Sequence, residues 1–240
     1  MEELLLTTKF DEVIKNNLPH INNYPEMLPF IGANYEKMKH RIFILGESHY
    51  IDDTQIKKLK EGERFLTDDW YTKNSLEFNP TMKQYITTRD NLKSVEANKI
   101  TPPLRSYSNL RKELKVHVDL FDQDKVFSNF VYFNYFQRPE NKSGESICNT
   151  DVDNKKAYQT LLFMANLLQP NKIIFATTKG FEAFTKSNIS SAIAMSCKLD
   201  FVPHASSIWW NRASRKYKMI GNEKMKGKDK FIALLKSELS

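Results

Sequence analysis

The segment RIFILGESHY, residues 41–50, joins an apolar run directly to a cluster of polar side chains. A short continuous apolar run is typical of a parallel strand that is buried on both faces. Ligands of open α/β sheets bind beyond the carboxyl ends of the strands, so the residues that follow the run are expected at a binding site. These residues are Gly46, Glu47, Ser48, His49 and Tyr50.

Three further apolar runs lead into polar residues in the same way. They are NFVYFNYF (129–136), with Asn134 late in the run; KIIFAT (172–177), which ends at Thr177 and is followed by Thr178; and LDFVPH (199–204), which leads into His204-Ala205-Ser206-Ser207. If the four runs are parallel strands, their polar ends converge on one edge of the sheet.

Helix-like segments separate these predicted strands. Apolar residues recur at helical spacing in residues 104–118, 153–170 and 180–187, and again in the C-terminal tail. Strands separated by helices need crossover connections, which predict an α/β fold with a mostly parallel sheet of four strands.

The length of 240 residues and the 40% hydrophobic content suit one large domain with a sizeable core. We expect a single domain over residues 1–240, with an N-terminal helical segment at 1–40 and a helical insertion at 52–100. The only cysteines, Cys148 and Cys197, cannot build a four-cysteine metal site.

The charge and the hydropathy of the chain bear on its partners and its location. A formal charge of +7 and a pI of about 9.2 suit a polyanionic partner, although they also fit many soluble proteins. No signal-peptide pattern and no apolar stretch of about 18 residues is found, so we expect a cytoplasmic protein that does not bind a membrane. We also expect a monomer.

Four of these segments resemble the uracil-DNA glycosylase superfamily when they are taken in order. The first and last motifs of that family read like GQDPYH, GINPG or GEAPG, and like HPSPLS or HPS. The matching segments are GESHY (46–50), FSNFVYFNYFQRP (127–139), LLQPNKIIFATTKGFEAF (167–184) and HASSI (204–208). The resemblance covers roughly residues 40–235 and implies a three-layer α/β/α fold around the four-stranded sheet.

The chain departs from the family pattern at several positions. The first motif lacks proline, and Ala205 replaces the proline of the last motif. Ser48 stands where some branches carry aspartate or asparagine. The cysteines that hold the iron–sulfur cluster of the nearest, GEAPG-type branch are missing, so no metal and no cofactor is expected.

The resemblance implies a DNA glycosylase that hydrolyses the N-glycosidic bond of a base flipped out of DNA, with uracil as the default base. Glu47 matches the carboxylate near the sugar, and His204 matches the histidine that stabilises the leaving base. The base pocket would be formed by Gly46, Ser48, His49, Tyr50 and Asn134. Contacts to duplex or single-stranded DNA would come from Ser206, Ser207, Ile208, Trp209 and Arg212, with Ile208 as an apolar wedge.

Other interpretations of the same residues remain open. Glu47 can cap the following helix, Asn134 can bond loop amides, and the Trp209–Trp210 pair can belong to the core. Phe65, Trp70 and Phe133 are the candidates for stacking on the base. The alternative functions are a catalytically inactive nucleic-acid-binding protein on the same fold and an erythromycin-esterase-like hydrolase of small molecules.

Overall fold

The computed structural model describes residues 4–49, 68–71, 86–139, 146–187, 197–219 and 224–237. Tyr50, Phe65 and most of the predicted insertion at 52–100 lie outside these ranges. The described α-helices are α1 (Asp11–Asn17), α2 (Pro19–Asn23), α3 (Thr88–Glu96), α4 (Arg105–His117), α5 (Asp151–Leu168), α6 (Thr178–Lys186) and α7 (Gly227–Lys236). The strands are β1 (Phe30–Ile31), β2 (Ile42–Gly46), β3 (Val131–Asn134), β4 (Lys172–Phe175), β5 (Lys198–Phe201), β6 (Ala213–Ser214) and β7 (Met225–Lys226).

The main sheet has five strands rather than the four predicted. Its order is β1-β3-β2-β4-β5, and the four strands β3, β2, β4 and β5 are parallel to their neighbours. Each of the four apolar runs forms one of these parallel strands. The additional strand, β1, pairs antiparallel with β3 at one edge. β1 lies in the segment that was expected to be helical. A strand forms there instead because Pro29 disfavours the helical conformation at Leu28, whose backbone is extended.

The parallel register brings the carboxyl ends of the strands level with one another. Gly46 pairs with Asn134, Leu45 with Phe175, and Phe175 with Phe201. The segments that leave these four strands therefore start from the same edge of the sheet.

Helices cover both faces of the sheet. Phe43 and Leu45 point to one face, where they join a buried cluster with residues of α1, α2, α5 and α6. Ile42 and Ile44 point to the opposite face and join residues of α3, α4 and α7. Because successive side chains of a strand alternate between faces, burial on both sides explains why β2 is a continuous apolar run.

Helix boundaries differ from the sequence expectation where proline and capping residues decide them. The predicted N-terminal helix is two short helices, because Pro19 starts α2. The helix predicted from residue 153 begins at Asp151 instead, because Thr150 is its cap and Asp153 completes a capping box three residues later. In the part of 52–100 that is described, α3 is helical. No described helix is long and apolar enough to span a bilayer.

Candidate functional site

The carboxyl edge of the sheet brings together residues that are far apart in the sequence. Glu47 directly follows β2, and His204 follows β5 by three residues. The two side chains are close enough for the negative charge of Glu47 to raise the pKa of His204. Burial has the larger, opposite effect, so the pKa of His204 is lowered overall and the ring is neutral at physiological pH.

Glu47 is buried, and both oxygens of its carboxylate accept hydrogen bonds. The Thr177 hydroxyl donates to Oε2 at 2.8 Å, and the Ile147 backbone N–H donates to Oε1 at 3.3 Å. The Thr177 oxygen also accepts from the Gly180 N–H at 3.1 Å, which caps the N-terminus of α6. Glu47 is thus joined to the start of α6 through Thr177.

The turn that carries His204 is held by α4 and by its own hydrogen bonds. The Asn109 side-chain amide donates to the Ala205 carbonyl at 2.8 Å, and the Ser207 N–H donates to the His204 carbonyl at 2.8 Å. The Ser206 hydroxyl lies 2.8 Å from Nδ1 of His204. When that hydroxyl donates, the proton of the neutral ring is on Nε2.

Gly46 leaves space for polar side chains above the end of β2. A Cβ atom at this position would lie closer than 3.0 Å to both the Asn134 Oδ1 and the Tyr132 hydroxyl. A glycine is therefore required for Asn134 to cover the strand end.

Two buried polar atoms at the ends of β2 and β3 have no hydrogen-bond partner among the described residues. They are the Asn134 Nδ2 and the Ser48 Oγ, on side chains that are 3% and 4% exposed. A buried polar group without a partner costs about 1–3 kcal/mol, so such atoms are candidates for bonding a ligand. Asn134 can offer both a donor and an acceptor to the edge of a base.

His49 is buried, and its backbone forms an isolated parallel bridge with Pro139. Burial lowers the pKa of His49 to about 4, so the ring is neutral near pH 7. Tyr50, which is also predicted to form the base pocket, lies outside the described residues.

The described aromatic candidates for base stacking contact protein residues. Trp70 stacks on Tyr24 with ring centroids 4.1 Å apart, and it is buried. Phe133 packs edge-to-face against Phe43 in the core. Phe65 is outside the described residues.

The predicted DNA-binding residues lie at or near the surface, whereas the neighbouring Trp210 is buried. Ile208 is 65% exposed and Trp209 is 39% exposed, on a short 3₁₀ helix, Ile208–Trp210. Ser206 and Arg212 are exposed, while the partly buried Ser207 has a hydroxyl without a partner among the described residues. Trp210 is buried and packs against Phe231, so it belongs to the core.

A buried ion pair stabilises the loop between β3 and α5, which supplies the Ile147 N–H. Arg138 binds Asp153 through two hydrogen bonds of 2.8 Å and donates to the Cys148 carbonyl at 2.8 Å. The Tyr71 hydroxyl donates to the same aspartate at 2.6 Å. This arrangement positions the chain that runs past Glu47.

Several residues that build the site were missed by sequence reasoning. The sequence identifies Thr177 as the polar end of a strand, and a threonine just before a helical segment is also a common helix cap. Asn109 and Ile147 carry no such signal, because their contacts arise from tertiary packing. Among the described residues no group of three histidine, cysteine, aspartate or glutamate side chains could hold a metal ion.

Comparison of the chain with protein-family models, with curated proteins and with solved structures found no match.

Proposed function

We propose that this protein is a DNA glycosylase of the uracil-DNA glycosylase type, which hydrolyses the N-glycosidic bond of a base flipped out of DNA. The observation that carries the proposal is the proximity of Glu47 and His204 at the carboxyl edge of the sheet. The buried polar atoms of Asn134 and Ser48, which have no hydrogen-bond partner in the described part of the chain, lie at neighbouring strand ends. The set combines a carboxylate, a neutral imidazole and an amide.

Cleavage of an N-glycosidic bond builds positive charge on the sugar and negative charge on the departing base. A carboxylate such as Glu47 can stabilise the sugar cation and orient the attacking water, as the carboxylates of O-glycosidases do. In the tautomer with its proton on Nε2, His204 can donate to the leaving base. A preorganised donor of this kind contributes several kcal/mol in a site that excludes water.

Asn134 would read the edge of the flipped base, and Ser48 would complete the wall beside it. Extraction of a base costs a few kcal/mol for unstacking and unpairing, least for a damaged or mismatched base. Uracil is the default substrate. A deaminated purine or a modified pyrimidine is also compatible with Ser48 and His49 in place of the family's usual residues.

A second candidate is a nucleic-acid-binding protein on the same fold without catalysis. One observation favours it: both oxygens of Glu47 already accept hydrogen bonds from the protein. A carboxylate held in this way ties the strand end to α6 and to the loop before α5, whether or not it also meets a substrate.

An excision assay separates the two candidates. The protein is incubated with duplex and single-stranded oligonucleotides that bear uracil, hypoxanthine, xanthine or hydroxymethyluracil, and abasic sites are revealed with alkali. We expect Glu47→Gln and His204→Ala to lower the excision rate by about 10²–10³-fold while the fold is kept.

Matched control variants are available on the surface and on α4. Glu36→Gln removes an exposed carboxylate that pairs with Lys9, and His117→Ala removes the last residue of α4, eight residues beyond Asn109. Both controls should excise at the parent rate. Equal rates for Glu47→Gln, His204→Ala and the parent would show that the site is wrong. DNA binding by the parent without abasic sites would favour the second candidate.

A further inference from the structure

A small two-stranded hairpin, β6 and β7, lies next to the candidate site and is strongly basic. Ala213 pairs with Lys226 and Ser214 pairs with Met225 in antiparallel register. The exposed cations on and beside these strands are Arg212, Arg215, Lys218, Lys224 and Lys226. None of the five has an acidic partner among the described residues, whereas Lys216 pairs with Glu182.

The hairpin exposes two cations that are separated by one residue. Lys226 lies in β7 and Lys224 directly precedes this strand; both side chains are exposed, whereas Met225 between them is partly buried. Ala213 lies directly opposite Lys226 and shares its face of the two-stranded sheet. The small alanine leaves room for a polyanion to approach the backbone between the charges.

The hairpin contacts residues next to the candidate site at two places, directly after β7 and in the segment between its two strands. Gly227, which follows β7, packs so tightly on Pro203 that a Cβ atom there would lie closer than 3.0 Å to the proline ring. Pro203 immediately precedes His204 in the sequence. The buried Tyr217 has its hydroxyl 3.4 Å from that of Thr178 and its ring against Phe201. Thr178 immediately follows Thr177, the donor to Glu47.

We infer that this hairpin is the phosphate-binding element of the protein and holds the backbone of a nucleic acid across the Glu47–His204 edge. The inference rests on the proposed function in that it supposes the ligand of that edge to be part of a nucleic acid. The exposed side chains of Ile208 and Trp209 lie between the His204 turn and the hairpin in the sequence.

The spacing of the charges favours a linear polyanion over a lipid surface. Lys224 and Lys226 are separated by one residue, so each can contact a different phosphate of one DNA strand, whose charges recur about every 3.4 Å along the helix axis. An interfacial membrane segment needs a broad apolar face, while the exposed apolar side chains here are Ile208 and Trp209.

Binding measured against salt concentration tests the inference with the full chain. The probe is a fluorescently labelled duplex of about 20 base pairs without a damaged base, titrated by anisotropy from about 50 to about 200 mM salt. Each phosphate contact contributes about 0.9 to the slope of log K against log salt. The double variant Lys224→Gln/Lys226→Gln should therefore bind more weakly and lose about 2 from the slope.

A control double variant removes the same charge from the opposite edge of the sheet. Lys39 precedes β2 and Lys186 ends α6, so both lie toward the amino ends of the strands and both are exposed. Lys39→Gln/Lys186→Gln should keep the parent slope. Equal slopes for the hairpin variant and the parent would overturn the inference, as would a parent that binds phosphatidylserine vesicles but not the duplex.

The outcome is separable from that of the proposed function. A parent that excises no base, but whose salt slope falls only in the hairpin variant, refutes the glycosylase and supports the phosphate-binding hairpin. Excision of a base, together with an unchanged salt slope in the hairpin variant, supports the glycosylase and refutes the phosphate-binding hairpin.

Discussion

Replacement of Thr177 by valine tests how the sheet edge holds Glu47. The Thr177 hydroxyl donates to the Glu47 carboxylate at 2.8 Å and accepts from the Gly180 N–H at 3.1 Å. The residue is fully buried. Valine has nearly the same shape, so the change removes both hydrogen bonds without opening a cavity.

The expected loss of stability follows from the two bonds. Loss of a threonine cap costs about 1 kcal/mol. Loss of a hydrogen bond to a charged group costs about 1.5–3 kcal/mol, because the buried carboxylate keeps its desolvation penalty. Thr177→Val should therefore lower the free energy of unfolding by about 3 kcal/mol. That is a large fraction of the roughly 5–15 kcal/mol that stabilises a typical domain.

Urea unfolding followed by circular dichroism measures this change. With a slope of about 2–3 kcal/mol per molar urea, the midpoint should fall by about 1 M or more. Thr185→Val is the matched control on the same helix, because the Thr185 hydroxyl is exposed and donates to the Glu182 carbonyl of its own helix. This control should change the free energy of unfolding by about 0.5 kcal/mol or less.

A double-mutant cycle with Glu47→Gln isolates the link between the two side chains. We expect a coupling free energy of about 1–2 kcal/mol, since contacting residues in one hydrogen-bond network are not additive. If Thr177→Val unfolds at the same urea concentration as Thr185→Val, or if the two changes at positions 177 and 47 simply add, the role assigned to Thr177 is wrong.

Two further predictions concern the buried polar groups. Arg138→Met should lower the free energy of unfolding by about 3–5 kcal/mol, because it leaves Asp153 buried without its cation. Urea unfolding measures this change against the control Arg215→Met, which replaces an exposed arginine. Burial lowers the pKa of His20 and of His49 to about 4, below the ordinary 6.5, so the unfolded chain binds more protons between these values. Stability should therefore fall as pH drops from about 6.5 to about 4, by up to roughly 3 kcal/mol for each histidine. Urea titrations across this range should show a shallower dependence for His20→Gln, and a flat profile in the parent would contradict the assignment.

The strands of the parallel sheet were predictable because they are buried on both faces. Residues 42–46 and 172–175 lie between two helical layers, so nearly every side chain is apolar and the run is visible in the sequence. The two-residue strand β1 carries no such pattern. Its backbone pairing with β3 depends on tertiary context.

The positions of Glu47 and His204 at one edge were predictable for a topological reason. In a parallel sheet the segments after the strands leave from the same side, so polar residues at those points must converge. The partners of Glu47 were not predictable in the same way. The Ile147 N–H reaches the carboxylate from a loop that is positioned by the Arg138–Asp153 pair.

The sequence by itself determined the α/β class, four of the strands and the edge at which the polar residues gather, because these follow from local periodicity and from the direction of parallel strands. Only the tertiary structure decided that Trp209 is exposed while Trp210 is buried. It alone showed that Thr177 connects Glu47 to a helix cap, and that the basic hairpin is anchored beside Pro203 and Thr178. These features depend on contacts between residues distant in the chain, and residue type and spacing do not specify which distant groups will meet.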